Sequence, residues 1–336
     1  MLKQLVDLLL NRRSGSSKNR RQLLAELERV IETVEPRLRL APGYPRALLR
    51  GMTRTLDFAG QLTQDLPEPL ELSWRSFTTD RRLGMFFASP ASLLDLLQTS
   101  EELRDFFSHP ANGDCAFCLL IMHRSDNQRL GMVNHNGEVR AEVPQVVVSF
   151  DNHRLTLPCA SLEQFVPQLA ERGVERLTTV ISRRLRDKEA RRVELESELL
   201  RVELRLKTLR APGQVVVDAM ADQGPALPDS PQALKRHFDE VRAELAALKS
   251  QLTLDGMLRE VRQILEHPTD YFSSSRVTLN LDRMGVVQPD DGSGNGNPIC
   301  FEEVVLCEIP PVRRVVVPAR VTRQAIRELE ANFGEG

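Results

Sequence analysis

The first residues in this sequence whose types and spacing could do chemistry are Cys115 and Cys118, a Cys-x-x-Cys pair with His109 before it and His123 after it. Thiolates and imidazoles bind zinc, and a Cys-x-x-Cys pair can also exchange a disulfide. The pair lies in a continuous apolar run, 115–122, of strand length, where positions three apart point to opposite faces. Because the two thiols then cannot converge, we predict buried apolar cysteines, no metal site and no cofactor.

A second group with chemical potential is His135, Asp151 and His153, which we place in predicted hairpin turns. No Gly-x-Ser-x-Gly sequence supplies a nucleophile for them. The glycine-rich loop 289–298 is not followed by a helix that could hold a phosphate, and its acids lack the spacing of a calcium loop. We predict no catalytic residue, although the sequence leaves open an enzyme whose site is assembled from residues far apart in the chain.

Arginine clusters suggest a different chemistry, the binding of phosphate groups. They lie at 12–21, 183–192 and 313–327, and the chain carries a net charge of −2 with 5% aromatic residues. A nucleic-acid role needs the clusters to share one face, and it gains no support from aromatic residues that could stack on bases. It is therefore the alternative function, and its candidate residues are Arg183, Arg184, Arg313 and Arg314.

Composition and processing signals point to the cytoplasm. The 336 residues include five cysteines, an odd number, and begin without a secretory signal. No apolar run reaches the roughly 18–20 residues that a transmembrane helix needs. Arginine greatly outnumbers lysine, as a GC-rich bacterial genome would produce. We expect a bacterial, cytoplasmic protein with free thiols.

The elements that must position these residues form three parts. The first is an N-terminal helical unit over 1–70, with helices at 22–35 and 46–66. The second is a β-rich body, 72–160 plus 268–336, that begins with strands at 72–87 around a turn and a helix from Ser89 to about Phe107. It continues as a β-meander of about five short strands with turns at Asn136-Gly137 and Asp151-Asn152. Further strands at 276–282, 299–309 and 312–317 and a closing helix at 321–333 complete the body.

The third part, residues 161–267, is the clearest signal in the chain. Apolar residues recur at alternating intervals of four and three, as in a coiled-coil seam, at Leu195, Leu199, Val202, Leu206 and Leu209, and again at Leu234, Phe238, Val241, Leu245, Leu248 and Leu252. Prolines and glycines in the tip loop 211–230 interrupt any continuous helix. We predict an antiparallel coiled-coil arm inserted into the body, in which Leu209 faces Leu234 and Leu195 faces Leu248.

Both seams of the arm lose their apolar residues at the same height. In this register Lys188 lies opposite Asp255, beside Gly256, and Arg192 is one turn away. We interpret these four residues as an elbow, a bend or a polar layer in which Lys188 or Arg192 pairs with Asp255. The other explanation for the missing apolar residues is that the lower third of the arm rests on the body and needs no seam there. If the elbow is right, Gly256→Ala should stiffen the arm and raise its helicity.

The tip of the arm carries apolar residues that the core of the body could not cover: Val215, Val216, Val217, Met220 and Leu227. They either pack on one another or form a contact surface. We therefore predict an α+β protein with an N-terminal helical unit, a β-meander-containing body and an inserted antiparallel coiled-coil hairpin. We expect a structural or adaptor role, in which the arm and its tip bind a protein partner or a second copy, forming an oligomer.

Overall fold

A computed structural model of the chain describes residues 17–64, 66–135, 138–210, 226–288, 296–307 and 311–333. It confirms the α+β class, with an N-terminal helical region, one mainly antiparallel sheet and one very long helix. The helices are α1 (Ser17–Val34), α2 (Tyr44–Gln61), α3 (Trp74–Thr79), α4 (Arg81–Phe86), α5 (Pro90–Thr99), α6 (Glu101–Ser108), α7 (Leu162–Arg210), α8 (Pro231–Gln251), α9 (Leu254–Glu266) and α10 (Arg323–Phe333). Short 3-10 turns occupy Pro36–Leu40, Pro110–Asn112 and Pro268–Asp270.

The strands on both sides of the inserted helices belong to a single sheet. They are β1 (Leu70–Glu71), β2 (Cys115–His135), β3 (Glu138–Cys159), β4 (Phe272–Leu281), β5 (Asn297–Leu306) and β6 (Val312–Thr322). The order across the sheet is β3-β2-β6-β5-β4, and β1 adds a short parallel pairing to β6. β4, β5 and β6 form an antiparallel meander, and β6 pairs on its other side with β2. The helices α7 to α9 are therefore inserted between strands of one sheet, as predicted.

The strands predicted at 72–87 are wrong, because this stretch folds as α3 and α4. Ser73 begins the first helix, its side chain accepting a hydrogen bond from the Ser76 N–H, and Asp80 begins the second by accepting one from the Arg82 N–H. Such caps satisfy the free donors of a helical first turn. The expected cap at Ser89 is confirmed, and it forms a reciprocal capping box with Ser92.

The meander of short strands predicted between 115 and 157 is also wrong, because two long strands, β2 and β3, occupy this region. Three β-bulges interrupt their pairing, and each contains one residue of β3 with positive φ: Glu142 (61°), Asn152 (53°) and Leu157 (56°). A bulge places two residues opposite one and bends the strand without ending it. Asn152 therefore belongs to a bulge and not to a turn, and His153 lies within a strand.

The sheet has an apolar core on each face. The larger core joins Leu120 and Met122 of β2 to Phe86, Phe301 and the apolar faces of α5, α6 and α10. Phe86 meets Phe150 edge to face, with ring centroids 5.0 Å apart. The smaller core, on the opposite face, places Leu119 beneath Phe165 at the start of α7. Burial on both faces explains the unbroken apolar run of the Cys-x-x-Cys segment.

The chain divides into two compact units whose boundaries differ from the three predicted parts. One unit contains the sheet, with residues 55–174 and those from Pro268 onward, and the other contains the described residues up to Arg54 together with Glu175–His267. In the second unit α1 contacts the long helix directly, since Ser182 donates a hydrogen bond to the Thr33 carbonyl (3.4 Å). Among the described residues, no helix has both the length and the apolar character that a membrane crossing needs.

Candidate functional site

The helical hairpin of α7 and α8 is built on the predicted seam. Leu195, Val241 and Leu245 form its buried core, with Leu199 and Leu248 packed against them. These five residues are all seam positions, and they lie near the predicted pairing of residue 195 with residue 248. An apolar repeat of this kind buries one stripe of each helix against the other.

Side-chain pairs between the two helices agree with their antiparallel direction. Lys249 Nζ lies 2.9 Å from a carboxylate oxygen of Glu196, and His237 Nε2 lies 2.9 Å from one of Glu198. The Lys249–Glu196 pair is exposed, and such pairs contribute about 0–1 kcal/mol to stability, whereas the His237–Glu198 pair is partly buried.

The second limb of the hairpin breaks at the predicted elbow. α8 ends at Gln251, and Thr253 begins α9 by accepting a hydrogen bond from the Gly256 N–H through its side-chain oxygen (3.1 Å). Gly256 is buried in this tight junction, and a Cβ atom there would lie 2.6 Å from the Ser250 carbonyl oxygen. The first limb, α7, continues as helix past this height.

The charges at the elbow pair differently from the prediction. Lys188 lies 2.8 Å from Glu260, and Arg192 lies 2.6 Å from Glu189 on its own helix. Asp255 falls in the first turn of α9, where a negative charge is favoured by the helix dipole. The contact between limbs is therefore made one turn beyond Asp255.

An open cleft of about 410 Å³ lies beside this contact. It is lined by Arg184, Asp187, Lys188, Glu260 and Gln263. Arg184 also approaches Glu260, at 3.5 Å. Two cations and two anions balance one another here, so the lining provides no net charge that would select an anionic or a cationic ligand.

Most of the predicted contact residues of the tip lie outside the described residues. This applies to Val215, Val216, Val217 and Met220. Leu227 lies in the described stretch that precedes α8, and its side chain is partly buried. The tip therefore stays a prediction.

A second apolar stripe on α7 was missed by the sequence reasoning. Val193 is 55% exposed and Leu200 is 46% exposed. At about 100° per residue they lie roughly 140–160° around the helix from Leu195, on the side away from the seam. Their spacing of seven residues was visible in the sequence, but it overlaps the stronger heptad of the seam.

The four arginines of the nucleic-acid alternative are divided between the two units. Arg183 and Arg184 are exposed on α7, and Arg313 and Arg314 are exposed on β6. The ion pair from Arg184 to Glu260 neutralises part of the first cluster.

The cysteines of the Cys-x-x-Cys pair occupy different environments. Cys118 is buried, and burial raises the pKa of its thiol to about 12. Cys115 is partly exposed, and its sulfur accepts a hydrogen bond from Arg320 Nε (3.3 Å). Burial likewise raises the pKa of Cys159 to about 11. Protonated thiols are poor nucleophiles and poor metal ligands. No group of three or more His, Cys, Asp or Glu residues in the described ranges could hold a metal ion.

Asp151 pairs with a histidine, but the arrangement is not that of a catalytic triad. The carboxylate lies 3.3 Å from His123 Nδ1, and Ser125 Oγ lies 3.4 Å from the same nitrogen. In a triad the serine and the carboxylate use different ring nitrogens. The side chain of His135 is not among those described.

His153 has a structural role in the sheet unit. Its ring stacks on Phe87 with centroids 4.5 Å apart, and its Nε2–H donates to the Phe86 carbonyl (2.7 Å). Burial lowers the pKa of His153 from 6.5, while the Phe86 carbonyl and Asp151 partly oppose that shift. The neutral ring is therefore the form that the fold accommodates.

We expect stability to decline in mild acid because of His153. With the folded-state pKa lowered, the unfolded chain takes up the proton first as pH falls below about 6.5. The free energy of unfolding should therefore be highest above that pH and fall until the folded-state pKa is passed. His153→Gln keeps a donor for the Phe86 carbonyl and cannot titrate. Urea unfolding between pH 7.5 and 5 should show a flatter profile for this variant, and equal slopes would contradict the assignment.

Comparison with models of protein families, with curated proteins and with solved structures found no match to this chain.

Proposed function

We propose that this protein is a non-enzymatic structural or adaptor protein of the cytoplasm that binds a protein partner, or a second copy of itself, through the α7–α8 hairpin and its tip. The observation that supports this most is the outer stripe of α7, where Val193 and Leu200 are exposed one heptad apart. A helix that uses one apolar stripe for its own hairpin and exposes another is suited to receive an amphipathic helix.

The elbow gives the hairpin a defined place to bend. The Thr253 cap separates α8 from α9, whereas α7 is continuous. We propose that the distal part of the hairpin adjusts its angle here when a partner binds. The bridge from Lys188 to Glu260 would limit that motion.

Placing a charge on the outer stripe tests the proposal. Leu200→Lys should weaken partner binding at least about tenfold, because a desolvated ammonium replaces an apolar contact. Stability should change by less than about 0.5 kcal/mol, since the side chain is partly exposed. The matched control is Ala246→Lys, which places the same charge on the exposed face of α8.

The measurement is photo-crosslinking in cells of the source organism. A photoreactive residue at position 193 should give discrete crosslinked species that disappear when Leu200→Lys is introduced into the same chain. The same residue at position 246 should give none of these species. A second variant, in which a short polar turn replaces residues 213–227, distinguishes binding through the tip from binding through the outer stripe of α7. Identical crosslinked species from all positions and backgrounds would exclude docking on the hairpin.

The second candidate is a nucleic-acid-associated protein, and one observation beyond Arg183, Arg184, Arg313 and Arg314 favours it. Arg46, Arg50 and Arg54 are exposed at intervals of four along α2, which places them on one side of that helix. Such a stripe could follow a phosphate backbone. Binding through it would weaken steeply with salt, whereas apolar docking on the hairpin would not.

A further inference from the structure

The residues of α2 up to Arg54 belong to the same unit as α9, and the two helices touch at a glycine. A Cβ atom at Gly51 would lie 2.8 Å from the Leu265 Cβ, so the helices approach closely here. Arg54 Nη1 donates a hydrogen bond to the Glu266 carbonyl (3.2 Å) at the C-terminal end of α9. A positive charge is favourable at that end of a helix. The contact therefore has a defined place on each helix, Gly51 on α2 and Leu265 on α9.

On α2 the contact residue separates a buried side from an arginine side. At about 100° per residue, buried Leu48 lies about 60° to one side of Gly51, and exposed Arg54 lies about 60° to the other. Arg50 and Arg46 continue the exposed side at intervals of four residues. The three guanidinium groups are therefore spaced about 6 Å apart along the helix axis.

Helix α9 has the same arrangement about Leu265. Buried Ile264 lies about 100° to one side of Leu265. Exposed Arg262 and Arg259 lie about 60° and 120° to the other side. Because both helices bury their apolar sides in one unit, their arginine sides adjoin along the contact. The arginine surface formed in this way consists of Arg46, Arg50, Arg54, Arg259 and Arg262.

The positive charge of the arginine surface is not fully neutralised by the protein. Among the described residues, no carboxylate forms an ion pair with any of its five arginines, whereas Arg39 in the same unit pairs with Glu28. The acidic residues on the exposed sides of the two helices are Asp57, Asp255 and Glu266, so the arginines outnumber them by five to three. An excess of fixed positive charge on one surface attracts an anionic ligand.

The chemistry of the arginine surface fits a chain of phosphates. A guanidinium can donate two parallel hydrogen bonds to one phosphate group. The row on α2 spans about 12 Å, the length of three or four phosphates along one strand at about 3.4 Å each. A bilayer fits less well, because an interfacial helix inserts its apolar face into lipid and that face of α2 is buried. Neither 46–54 nor 254–266 contains an aromatic residue that could stack on bases.

We propose that the arginine surface binds the phosphodiester backbone of a nucleic acid, independently of base sequence. The proposal deepens the second candidate function, on which it rests, by assigning it to one surface of one unit. Arg313 and Arg314, which lie in the other unit, are not required. The outer stripe of α7 is not required either, so docking of a protein on the hairpin is a separate property.

Binding of the full chain to labelled nucleic acids tests the proposal. The probes are two DNA duplexes of unrelated sequence and a single-stranded RNA, and fluorescence anisotropy is followed between about 50 and 200 mM salt. The wild type should bind both duplexes equally, with an affinity that falls steeply as salt rises. Arg50→Gln combined with Arg262→Gln should raise the dissociation constant at least about tenfold at the lower salt. The salt slope should become shallower by about 2, because each lost phosphate contact contributes about 1.

The matched control is Arg313→Gln combined with Arg314→Gln, which removes the same charge from exposed positions in the other unit. It should bind within about twofold of the wild type, and circular dichroism should show the wild-type fold for both double variants. If only the control loses binding, the arginine surface is wrong and the second candidate function stands. If the wild type binds no probe at the lower salt, both are wrong. Displacement by poly-glutamate as effective as by unlabelled duplex at equal charge would overturn the proposal in favour of an acidic protein.

Discussion

Replacing Leu195 by alanine should lower the free energy of unfolding by about 2–5 kcal/mol, the range for removing a buried leucine side chain and leaving a cavity. Leu195 is fully buried and packs with Val241 and Leu245 in the core of the hairpin. Because the hairpin core contains so few residues, few neighbouring side chains could move to fill the cavity. We expect α8 to lose helicity first, since its buried face is the one that Leu195 covers.

The matched control for this variant is Leu200→Ala, the same change on the same helix at a residue that is 46% exposed. It should cost less than about 0.5 kcal/mol if that face is free of other contacts. Urea unfolding followed by far-UV circular dichroism measures both variants. Equal losses at positions 195 and 200 would show that the seam described here is not the core of the hairpin.

Gly256→Ala should destabilise the hairpin by about 1–3 kcal/mol, the usual cost of overpacking. The sequence suggested the opposite, a stiffer and more helical arm, because alanine is favoured over glycine inside a continuous helix. Gly256 instead sits in the junction of α8 and α9, where a Cβ would lie 2.6 Å from the Ser250 carbonyl oxygen. A backbone carbonyl cannot rotate away as a side chain would. The Thr253 cap would have to open.

Gly173→Ala and Gly84→Ala are the controls for this change. Both glycines lie in helices, and a Cβ would meet only ordinary contact at 3.7 Å for Gly173 and open space for Gly84. Each should be neutral or stabilising by up to about 1 kcal/mol. Thermal unfolding of the three variants side by side separates the junction from a general glycine effect. A stabilised Gly256→Ala would mean that the two helices form one rod.

The sequence predicted strands correctly where apolar residues alternate without interruption. The prediction was wrong in β3, where bulges exchange the residues that face inward with those that face outward. Val148 lies in the main core and Phe150 packs against it, but beyond the bulge at Asn152 the residue of β3 in that core is Leu155. An inserted residue exchanges the inward and outward sides of a strand. A long bulged strand therefore has the pattern of several short strands joined by turns. At 72–87 the sequence favoured strands, but the helix caps at Ser73 and Asp80 begin two short helices there.

The candidate site was only partly predictable for a different reason. The seam depends on a repeated spacing, which a sequence displays directly, and the break beside Gly256 follows from residues that disfavour helix. The pairing of Lys188 with Glu260 depends on the direction in which α9 begins after Thr253. That direction is set by the hydrogen bond from the Gly256 N–H to the Thr253 side chain, which sequence spacing alone does not reveal. The pairing of β2 with β6 ends at Met122 although β2 runs on to His135, and no local sequence pattern records that end.

The place of β6 in the sheet also sets the order in which the chain can fold. Among the described strands β6 comes last in the sequence, yet it joins the β2–β3 pair to the β4–β5 pair. Until residues 312–322 have been synthesised, β2 and β5 lack the strand that lies between them, so each has an uncovered edge. Sheets closed by distant contacts fold slowly, and their incomplete forms expose surface that aggregates. We therefore expect this sheet to become complete only after residues 312–322 have been synthesised, although the long helix α7 precedes them in the chain.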